Sequence, residues 1–596
     1  MTTYLTALTA SSVGYALMAL AYLGWGILSA RLLSIYFEPL ERPFALIWLG
    51  WSISLVFFHL WNFLAPVSIY ASLIFLAIGF SFAIPNLRSY IKSALSHPTM
   101  FVLGYGITLA LLSVWIASWS MLTPANNDSG IYHFNSIRWI NEYAVVPGLG
   151  NVHGRLAFNQ SFFTYVASLN LYPLFNQGHN LANTFLFLLL FAELLRHLFT
   201  LIDHLPNAAD HRPSIVAVFF IPFLIYRVLF SSLSSPTPDN ASSVLQILLF
   251  IHYANFLKVK AFDKYADSRL TLIVVLSATL ITLKLSNLCY AAVIFATSIL
   301  FRFRGSFVTQ SYPLRTTIKL LLISFIIVIP WLGRGLITSG YPVYPSTVGR
   351  IQTDWSVPVE QVKDMLAWFY SWARKPNVPP NEVPGDWQWL APWFDSVSRR
   401  AFASVVYPVC LSALNMIVAL AFFISRLRIG KRDGPVLLTT LLLLPPVASI
   451  IFWFFVAPDI RYAHSLFYIA AIASSILLIE ITAVMQRNKT ALIASALFLI
   501  VNAGLTYRLF TNSGGLINIF TKGGGLINIS RVGYLPIPSA ELIEKRTESG
   551  LKIYVTVRDD RCWDSPLPCT PYFNPELRLR GTDIQSGFTV APKGEG

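Results

Sequence analysis

Residues 44–64 read FALIWLGWSISLVFFHLWNFL, and this stretch decides the class of fold. It runs for 21 residues without a single Asp, Glu, Lys or Arg. About 20 mainly apolar residues in a helix are enough to cross the hydrocarbon core of a bilayer. The stretch therefore predicts a membrane-spanning helix.

The same pattern recurs along the whole chain. Similar stretches lie near 12–30, 67–86, 100–122, 181–200, 214–231, 242–257, 269–284, 287–302, 316–333, 401–425, 434–456, 462–485 and 489–508. Only 12% of the 596 residues are charged and the mean hydropathy is +0.60, whereas about a quarter of a soluble domain is charged. The sequence predicts an all-α polytopic membrane protein of about 14 transmembrane helices. Around Ser286 both predicted spans are short, so one broken or re-entrant helix pair stays an alternative there.

The distribution of basic residues predicts the orientation. Nineteen Lys and Arg residues, from Arg31 to Lys489, fall in one set of alternate connections, and the opposite short connections hold almost none beyond Lys284 and Arg461. Loops rich in Lys and Arg stay in the cytoplasm. We therefore expect a multi-pass protein of a bacterial inner membrane with its N-terminus and C-terminal domain extracytoplasmic. The net charge of +15 indicates no nucleic-acid partner, because the basic residues form no stripe on a soluble domain.

These patterns divide the chain into six parts. They are four N-terminal transmembrane helices in 1–122, a first large extracytoplasmic loop in 123–180, central transmembrane helices in 181–333, a Trp- and Pro-rich extracytoplasmic loop in 334–400, C-terminal transmembrane helices in 401–508, and a soluble extracytoplasmic domain in 509–596. The last part is predicted to be a small α/β domain. It contains a duplicated GGLINI at Gly514 and Gly524 and a predicted strand, LKIYVTV, in 551–557. Cys562 and Cys569 are predicted to form a disulfide in an oxidising compartment.

Residues 126–160, NNDSGIYHFNSIRWINEYAVVPGLGNVHGRLAFNQ, form the longest polar interruption in the first half of the chain. The alternation of aromatic and polar residues over 131–143 predicts a helix lying in the membrane interface. Three glycines in 148–154 predict a loop that closely approaches another segment. The candidate site residues here are Asp128, His133, Arg138, Glu142, His153, Arg155 and Asn159.

Asp128 is the candidate catalytic residue of this loop. It follows a predicted span by six residues, and a carboxylate at the membrane edge can accept a proton from a hydroxyl as general base. The alternative is a helix N-cap, since the run NNDS consists of good capping residues. For Asp239 the capping role is favoured, and Asp459 is expected to pair with Arg461.

Five cations lie at the predicted extracytoplasmic ends of spans: Arg227, Lys284, Arg334, Arg461 and Arg508. A single terminal Arg or Lys is explained by snorkelling of its charge to the interface. Five on one side, against the positive-inside trend, indicate a site for a phosphate or pyrophosphate. Lys284 carries the most weight, followed by Arg461 and Arg334. Two His and one Asp without regular spacing are only a weak signal of a metal site.

The chain resembles two groups of proteins. The stretches at 128–163, at 334–346 (RGLITSGYPVYPS, with Tyr341) and at 562–571 (CWDSPLPCTP) resemble an uncharacterised bacterial family of polytopic membrane proteins. The architecture resembles the GT-C superfamily, whose members are integral-membrane glycosyltransferases that use polyprenyl-phosphate-linked sugars. Many of these have a paired acidic motif in the first outer loop. Here only Asp128 is present, so a divalent metal stays open as a cofactor without the motif that would support it.

The resemblance to GT-C enzymes implies a function. A polyprenyl-phosphate-linked sugar would be transferred to an extracytoplasmic acceptor, such as a cell-envelope glycan or glycolipid. The protein would also be in contact with membrane lipid. Lys284, Arg334 and Arg461 would hold the phosphate, Asp128 would deprotonate the acceptor, and His133 or Glu142 would help to bind the sugar. Arg138, His153, Arg155, Asn159 and Tyr341 complete the predicted substrate-binding set.

Three other functions stay open at this point. A lipid-linked polysaccharide polymerase would lengthen a chain instead of adding one sugar. A transporter or flippase of lipid-linked saccharide would show internal repeats, and no half-to-half repeat is visible. A non-catalytic lipid-binding assembly protein would keep its function without Asp128 and Lys284.

Overall fold

A computed structural model describes residues 3–95, 99–203, 212–257, 264–303, 313–383, 386–428, 440–463, 465–483, 490–512 and 533–590. The described residues are mostly helical. The helices are α1 (Tyr4–Leu33), α2 (Arg42–Leu64), α3 (Ile69–Leu95), α4 (Thr99–Ser120), α5 (Phe134–Glu142), α6 (Phe162–Leu169), α7 (Gly178–Asp203), α8 (Arg212–Phe219), α9 (Ile221–Phe230), α10 (Pro238–Phe256), α11 (Ala266–Leu283), α12 (Leu288–Phe303), α13 (Pro313–Ser339), α14 (Val359–Arg374), α15 (Leu390–Arg400), α16 (Tyr407–Arg428), α17 (Leu444–Val456), α18 (Leu466–Ala483) and α19 (Thr490–Asn512).

The helices are those of a multi-pass membrane protein. Among the described residues, ten are long and apolar enough to cross a membrane, by length and composition. The other four predicted spans are helical as well. Three of them contain shorter apolar helices, Leu444–Val456, Leu466–Ile481 and Leu492–Tyr507, and the fourth, α10, carries polar residues such as Gln246 and His252 along its length. The finer count of 14 stays a prediction.

Glycines bring the first three helices into backbone contact. A Cβ atom added to Gly24 of α1 would overlap the backbone of Gly79 in α3, and one added to Gly50 of α2 would overlap the carbonyl of Tyr22. Small residues at helix crossings allow this close approach, which increases van der Waals contact between helices in a membrane. The three helices therefore pack closely against one another and support the loops that connect them.

The first large loop is packed inside the protein. A π-helical turn, Ser129–His133, runs directly into α5, and all five residues of the turn and most of α5 are buried. The sequence predicted a helix lying in the membrane interface, and the helix is present. It is covered by the C-terminal region, with Phe134 against Trp563 and Trp139 against Phe588, so its aromatic residues serve as core.

The C-terminal region contains five short strands: β1 (Leu542–Arg546), β2 (Lys552–Thr556), β3 (Cys569–Thr570), β4 (Leu577–Leu579) and β5 (Phe588–Val590). β1 pairs antiparallel with β2, β2 pairs parallel with β3, and β4 pairs antiparallel with β5. The predicted strand in 551–557 and the Cys562–Cys569 disulfide are both present. Residues 533–590 contain no α-helix, so this part is a small β region where an α/β domain was predicted. The duplication at Gly514 and Gly524 lies outside the described residues.

Three described parts of the chain meet at one end of the helical bundle, which we call the loop end: residues 121–177, residues 340–383 with 386–406, and residues 533–590. The C-terminal region docks on the first loop through backbone hydrogen bonds from Trp563 to Gly130 (2.8 Å) and from Phe588 to Pro147 (2.9 Å). Gly148 has a φ of +64°, and a Cβ there would overlap the carbonyl of Phe588. The glycine-rich loop therefore makes the close approach that its sequence predicted.

Candidate functional site

Six charged side chains converge at the loop end, and we call them the charge cluster: Asp128, Arg155, Asp239, Lys284, Asp459 and Arg461. They come from four separate parts of the chain: the first loop, the start of α10, the break between α11 and α12, and the segment between α17 and α18, where Ile460–Ala463 forms a short helix. All six side chains are at most 40% exposed. Three carboxylates and three cations thus share one partly buried region.

Asp128 lies between two guanidinium groups. Its Oδ2 accepts a hydrogen bond from Arg461 Nη1 at 3.0 Å, and its Oδ1 accepts a longer one from Arg155 Nη1 at 3.5 Å. Arg461 also donates to Asp459 Oδ2, from Nη2 at 3.2 Å. Arg461 therefore bridges two carboxylates that are 331 positions apart in the sequence.

The second half of the cluster joins the first through Tyr462. Lys284 Nζ donates to Asp239 Oδ1 and lies 4.8 Å from the centre of the Tyr462 ring. The guanidinium carbon of Arg461 lies 5.8 Å from the same ring. Cations are attracted to the negative face of an aromatic ring, so Tyr462 holds both cations. Asp128 and Lys284, which the sequence could not place relative to one another, belong to one cluster.

Neither Asp128 nor Asp239 caps a helix with its side chain, so both side chains can take part in the charge cluster. Asp128 precedes the π-helical turn without making a side-chain capping hydrogen bond, so the capping alternative is wrong. Capping was also favoured for Asp239, and this is wrong too. Thr237 is the N-cap of α10, its hydroxyl accepts the backbone N–H of Asp239 at 3.3 Å, and Pro238 begins the helix.

Lys284 owes its position to an interruption in the helical chain. α11 ends at Leu283, Lys284 is extended with φ −161° and ψ 128°, and one 3-10 turn (Leu285–Asn287) leads into α12. The sequence indicated a discontinuity near Ser286, and the chain does break there. The break turns the lysine side chain toward Asp239.

Burial and charge shift the pKa values of the groups around the cluster. Burial lowers the pKa of His133 to about 4, although Asp128 and Asp239 raise it. His133 is therefore a neutral imidazole at neutral pH, hydrogen-bonded to the Ser129 hydroxyl at 2.9 Å. For Arg461, burial alone would lower the pKa, but Asp459 and Asp128 outweigh it and raise the value.

The cluster is suited to hold an anion and to transfer a proton. With three acids and three cations its formal charges cancel. An anionic group entering beside Arg155, Arg461 and Lys284 would compete with the aspartates for the same N–H donors. An aspartate displaced in this way becomes a free base. Among the described residues, no group of three or more His, Cys, Asp and Glu side chains is placed to hold a metal ion.

Three predicted residues lie away from the cluster and have structural contacts. Arg334 is buried in α13 and donates to Asn62 Oδ1 in α2. Asn159 exchanges hydrogen bonds with the indole and carbonyl of Trp331. Tyr341 is fully buried, and its hydroxyl donates to the Val357 carbonyl at 3.0 Å. Arg334 was predicted to bind the phosphate, but its guanidinium is engaged within the helix bundle.

The remaining predicted residues connect the first loop to the C-terminal region. Arg138 bonds to Glu142 at 2.7 Å and to the carbonyl of Asp564 at 2.8 Å. His153 is buried against the ring of Tyr572, and burial together with Arg155 lowers its pKa to about 3. Of the five predicted cations, Arg227 donates to Asn240 Oδ1 at 2.8 Å, next to Asp239. The side chain of Arg508 lies outside the described part.

Sequence reasoning missed three members of this site: Asp239, Asp459 and Tyr462. The sequence predicts a local role for each aspartate, capping for Asp239 and pairing with Arg461 for Asp459. The usable signal was the motif APDIRYAH at 457–464, which places an acid, a cation and an aromatic within four residues at the end of a span. The pairing of Asp459 with Arg461 is confirmed.

The chain matches a known protein family over most of its length. A family described as a domain of unknown function, DUF8201, matches residues 12–469. The chain belongs to this family. The DUF8201 match contains every residue of the charge cluster and ends before the C-terminal region. No curated protein matches the chain, and no solved structure matches it.

Proposed function

We propose that this DUF8201 protein is a membrane glycosyltransferase whose active site is the charge cluster. The donor is a sugar linked to a polyprenyl phosphate, and the acceptor is a hydroxyl group of a cell-envelope glycan or glycolipid. The site faces the outside of a bacterial inner membrane, as the positions of Lys and Arg in the loops indicate. The proposal extends the resemblance to GT-C enzymes, which by itself concerns architecture alone.

One observation carries this proposal. Asp128 shares a cluster with three cations, Arg155, Lys284 and Arg461, at the end of apolar helices where a lipid phosphate would lie. Transfer from a phosphate requires a base for the acceptor hydroxyl and positive charge for the leaving group. The cluster contains both.

The geometry supports a specific order of events. Before the donor binds, Arg461 and Arg155 occupy both oxygens of Asp128, and a carboxylate held by two cations is a poor base. When the donor phosphate binds Arg461, Arg155 and Lys284, it takes over these hydrogen bonds and frees Asp128. The base is therefore active only when the donor is present, which would limit hydrolysis of the donor by water.

In the transfer step, Asp128 accepts the proton of the acceptor hydroxyl, and the hydroxyl oxygen forms a bond to the anomeric carbon of the sugar. The bond between that carbon and the phosphate oxygen breaks, and its electron pair leaves with the phosphate. The three cations stabilise the added charge. Arg334 has no part in this step, because its guanidinium is bound to Asn62.

A transfer assay with the full chain in liposomes tests this mechanism. The donors are polyprenyl phosphates carrying radiolabelled glucose, mannose or galactose, and the acceptor is an envelope glycan fraction. We expect transfer from at least one donor, and Asp128→Asn should lower its rate by roughly 100-fold or more, as loss of a general base does.

Asp395→Asn is the matched control. Asp395 is an exposed loop-end aspartate that pairs only with Arg399, four residues along α15, among the described residues. Its loss should leave the transfer rate unchanged. Full activity of Asp128→Asn, or no transfer from any of the donors by the wild type, would overturn the mechanism.

A second candidate function is non-catalytic binding of a lipid phosphate. It is favoured by the pairing of both Asp128 oxygens with guanidinium groups, which is also how a purely structural carboxylate is held. In that case the labelled donors would bind to the protein and remain intact with any acceptor. Arg461→Gln would then weaken donor binding, while Asp128→Asn would not.

A further inference from the structure

A second site lies at the opposite end of the helical segment that begins at Asp128. Residues 129–142 form one helical run, so its two ends are about 20 Å apart. At the far end, the turn between α2 and α3, the end of α5 and the loop before α7 line an open cavity of about 650 Å³. Its lining includes four aromatic rings and one carboxylate.

Four aromatic side chains form the walls of the cavity: Trp61, Tyr70, Tyr143 and Tyr172. Tyr70 is 72% exposed, and the described residues provide no hydrogen bond for its hydroxyl. Trp61 is fixed by a bond from its indole N–H to the Pro66 carbonyl at 3.1 Å. A large apolar cavity with few, well-positioned polar groups is the usual form of a small-molecule site.

Glu142 provides the polar group, and only one of its oxygens is used within the protein. Oε1 accepts hydrogen bonds from Arg138 Nε at 2.7 Å and from the Tyr172 hydroxyl at 3.1 Å. Among the described residues, no donor bonds to Oε2. The carboxylate is thus held rigidly at the cavity wall with one acceptor oxygen left over.

The charges select the class of ligand. An anion is disfavoured by the carboxylate. A cation such as a choline headgroup could also pack on the aromatic rings, but at Glu142 it would compete with Arg138, which already pairs with the carboxylate at 2.7 Å. A neutral hydroxyl donor satisfies Oε2 without adding charge. A sugar ring combines such hydroxyls with an apolar C–H face that packs on aromatic rings.

We propose that this cavity binds a saccharide, as a remote subsite for an extended glycan. A single sugar ring cannot reach from the cavity to the charge cluster, about 20 Å away along the helical run. An oligosaccharide is long enough to span this distance. The role as an acceptor subsite rests on the proposed transferase function, whereas saccharide binding itself does not depend on it.

Titration calorimetry of the full chain in lipid nanodiscs tests the site. The probes are neutral tetrasaccharides of glucose, galactose, mannose and N-acetylglucosamine, with choline chloride as the cationic probe. We expect at least one tetrasaccharide to bind with a Kd on the order of 1 mM or tighter, and choline not to bind. Tyr70→Leu should weaken the binding about five- to tenfold, because it keeps an apolar side chain and removes a ring contact.

Tyr36→Leu is the matched control, since Tyr36 is 70% exposed and lies between α1 and α2, outside the cavity. It should bind the tetrasaccharide as the wild type does. The assignment is overturned if no tetrasaccharide binds, if Tyr70→Leu binds equally well, or if choline binds. It is also overturned if the purified protein carries a phospholipid that Tyr70→Leu loses. Saccharide binding that survives in Asp128→Asn separates this site from the transfer step.

Discussion

At the scale of single residues, the proposed chemistry depends on how Asp128 is held. Its neighbour Arg155 belongs to the same loop and its neighbour Arg461 to a distant segment, and a carboxylate between two guanidinium groups becomes reactive only when one of them is drawn away. The same pair explains why the aspartate does not cap the helix that follows it. A residue that looked like a local structural element is part of a tertiary network.

Two buried histidines predict the pH dependence of stability. Burial lowers the pKa of His133 to about 4 and, with Arg155, that of His153 to about 3, below the value of about 6.5 in an unfolded chain. Between these values the unfolded chain binds more protons, so stability is full above about pH 6.5 and falls as the pH drops toward 4. His133→Gln should lower the number of protons taken up on unfolding in this pH range by up to one, and so make stability less dependent on pH.

Thermal unfolding of wild type and His133→Gln between pH 4 and 7.5 measures the difference. Carboxylates contribute to acid unfolding in both proteins, so the informative quantity is the change in slope. Parallel curves for the two proteins would contradict a buried neutral His133.

At the scale of elements, the close packing of α1 against α3 depends on glycine. Gly24→Ala should destabilise the protein because its Cβ would overlap the backbone of Gly79, and a helix must move to relieve the overlap. Overpacking of this kind costs about 1–3 kcal/mol. Gly106→Ala is the control, since a Cβ in that helix has nothing within 4 Å.

Unfolding of the two variants in detergent should show a lower melting temperature for Gly24→Ala. Gly106→Ala should melt at the wild-type temperature or slightly above it. Equal melting of the two variants would mean that α1 and α3 can separate without cost.

At the scale of the whole molecule, the proposal requires the loop end to face the outside of the cell. A cysteine placed at Lys363, which is 61% exposed in α14 at the loop end, should react in intact cells with a thiol reagent that does not cross membranes. A cysteine placed at Tyr36, at the opposite end, should react only after permeabilisation. Cys289 and Cys410 are first replaced by alanine.

The reverse pattern of labelling would place the charge cluster in the cytoplasm. It would also remove the oxidising compartment that the Cys562–Cys569 disulfide favours. The proposed function would then need a cytoplasmic donor.

The sequence by itself determined the class of fold. The mean hydropathy of a segment depends only on the residues in that segment. A run such as 44–64 therefore predicts a membrane-spanning helix without knowledge of the helices that pack against it. The strand in 551–557 and the disulfide were also local enough to predict. The aromatic face of 131–143 was misinterpreted, because periodicity shows that a helix has an apolar face but not whether lipid or a protein domain covers it.

Only the tertiary structure decided the composition of the site. Asp128, Lys284 and Arg461 are recognisable from sequence as an acid and two cations at the ends of spans. Which of them meet depends on how the helices pack, and this is fixed by contacts between segments hundreds of residues apart, such as Asp128 with Arg461. Arg334, which lies at a span end as Lys284 and Arg461 do, bonds instead to Asn62 inside the bundle. Asp239, which was expected to cap a helix, pairs with Lys284 in the charge cluster.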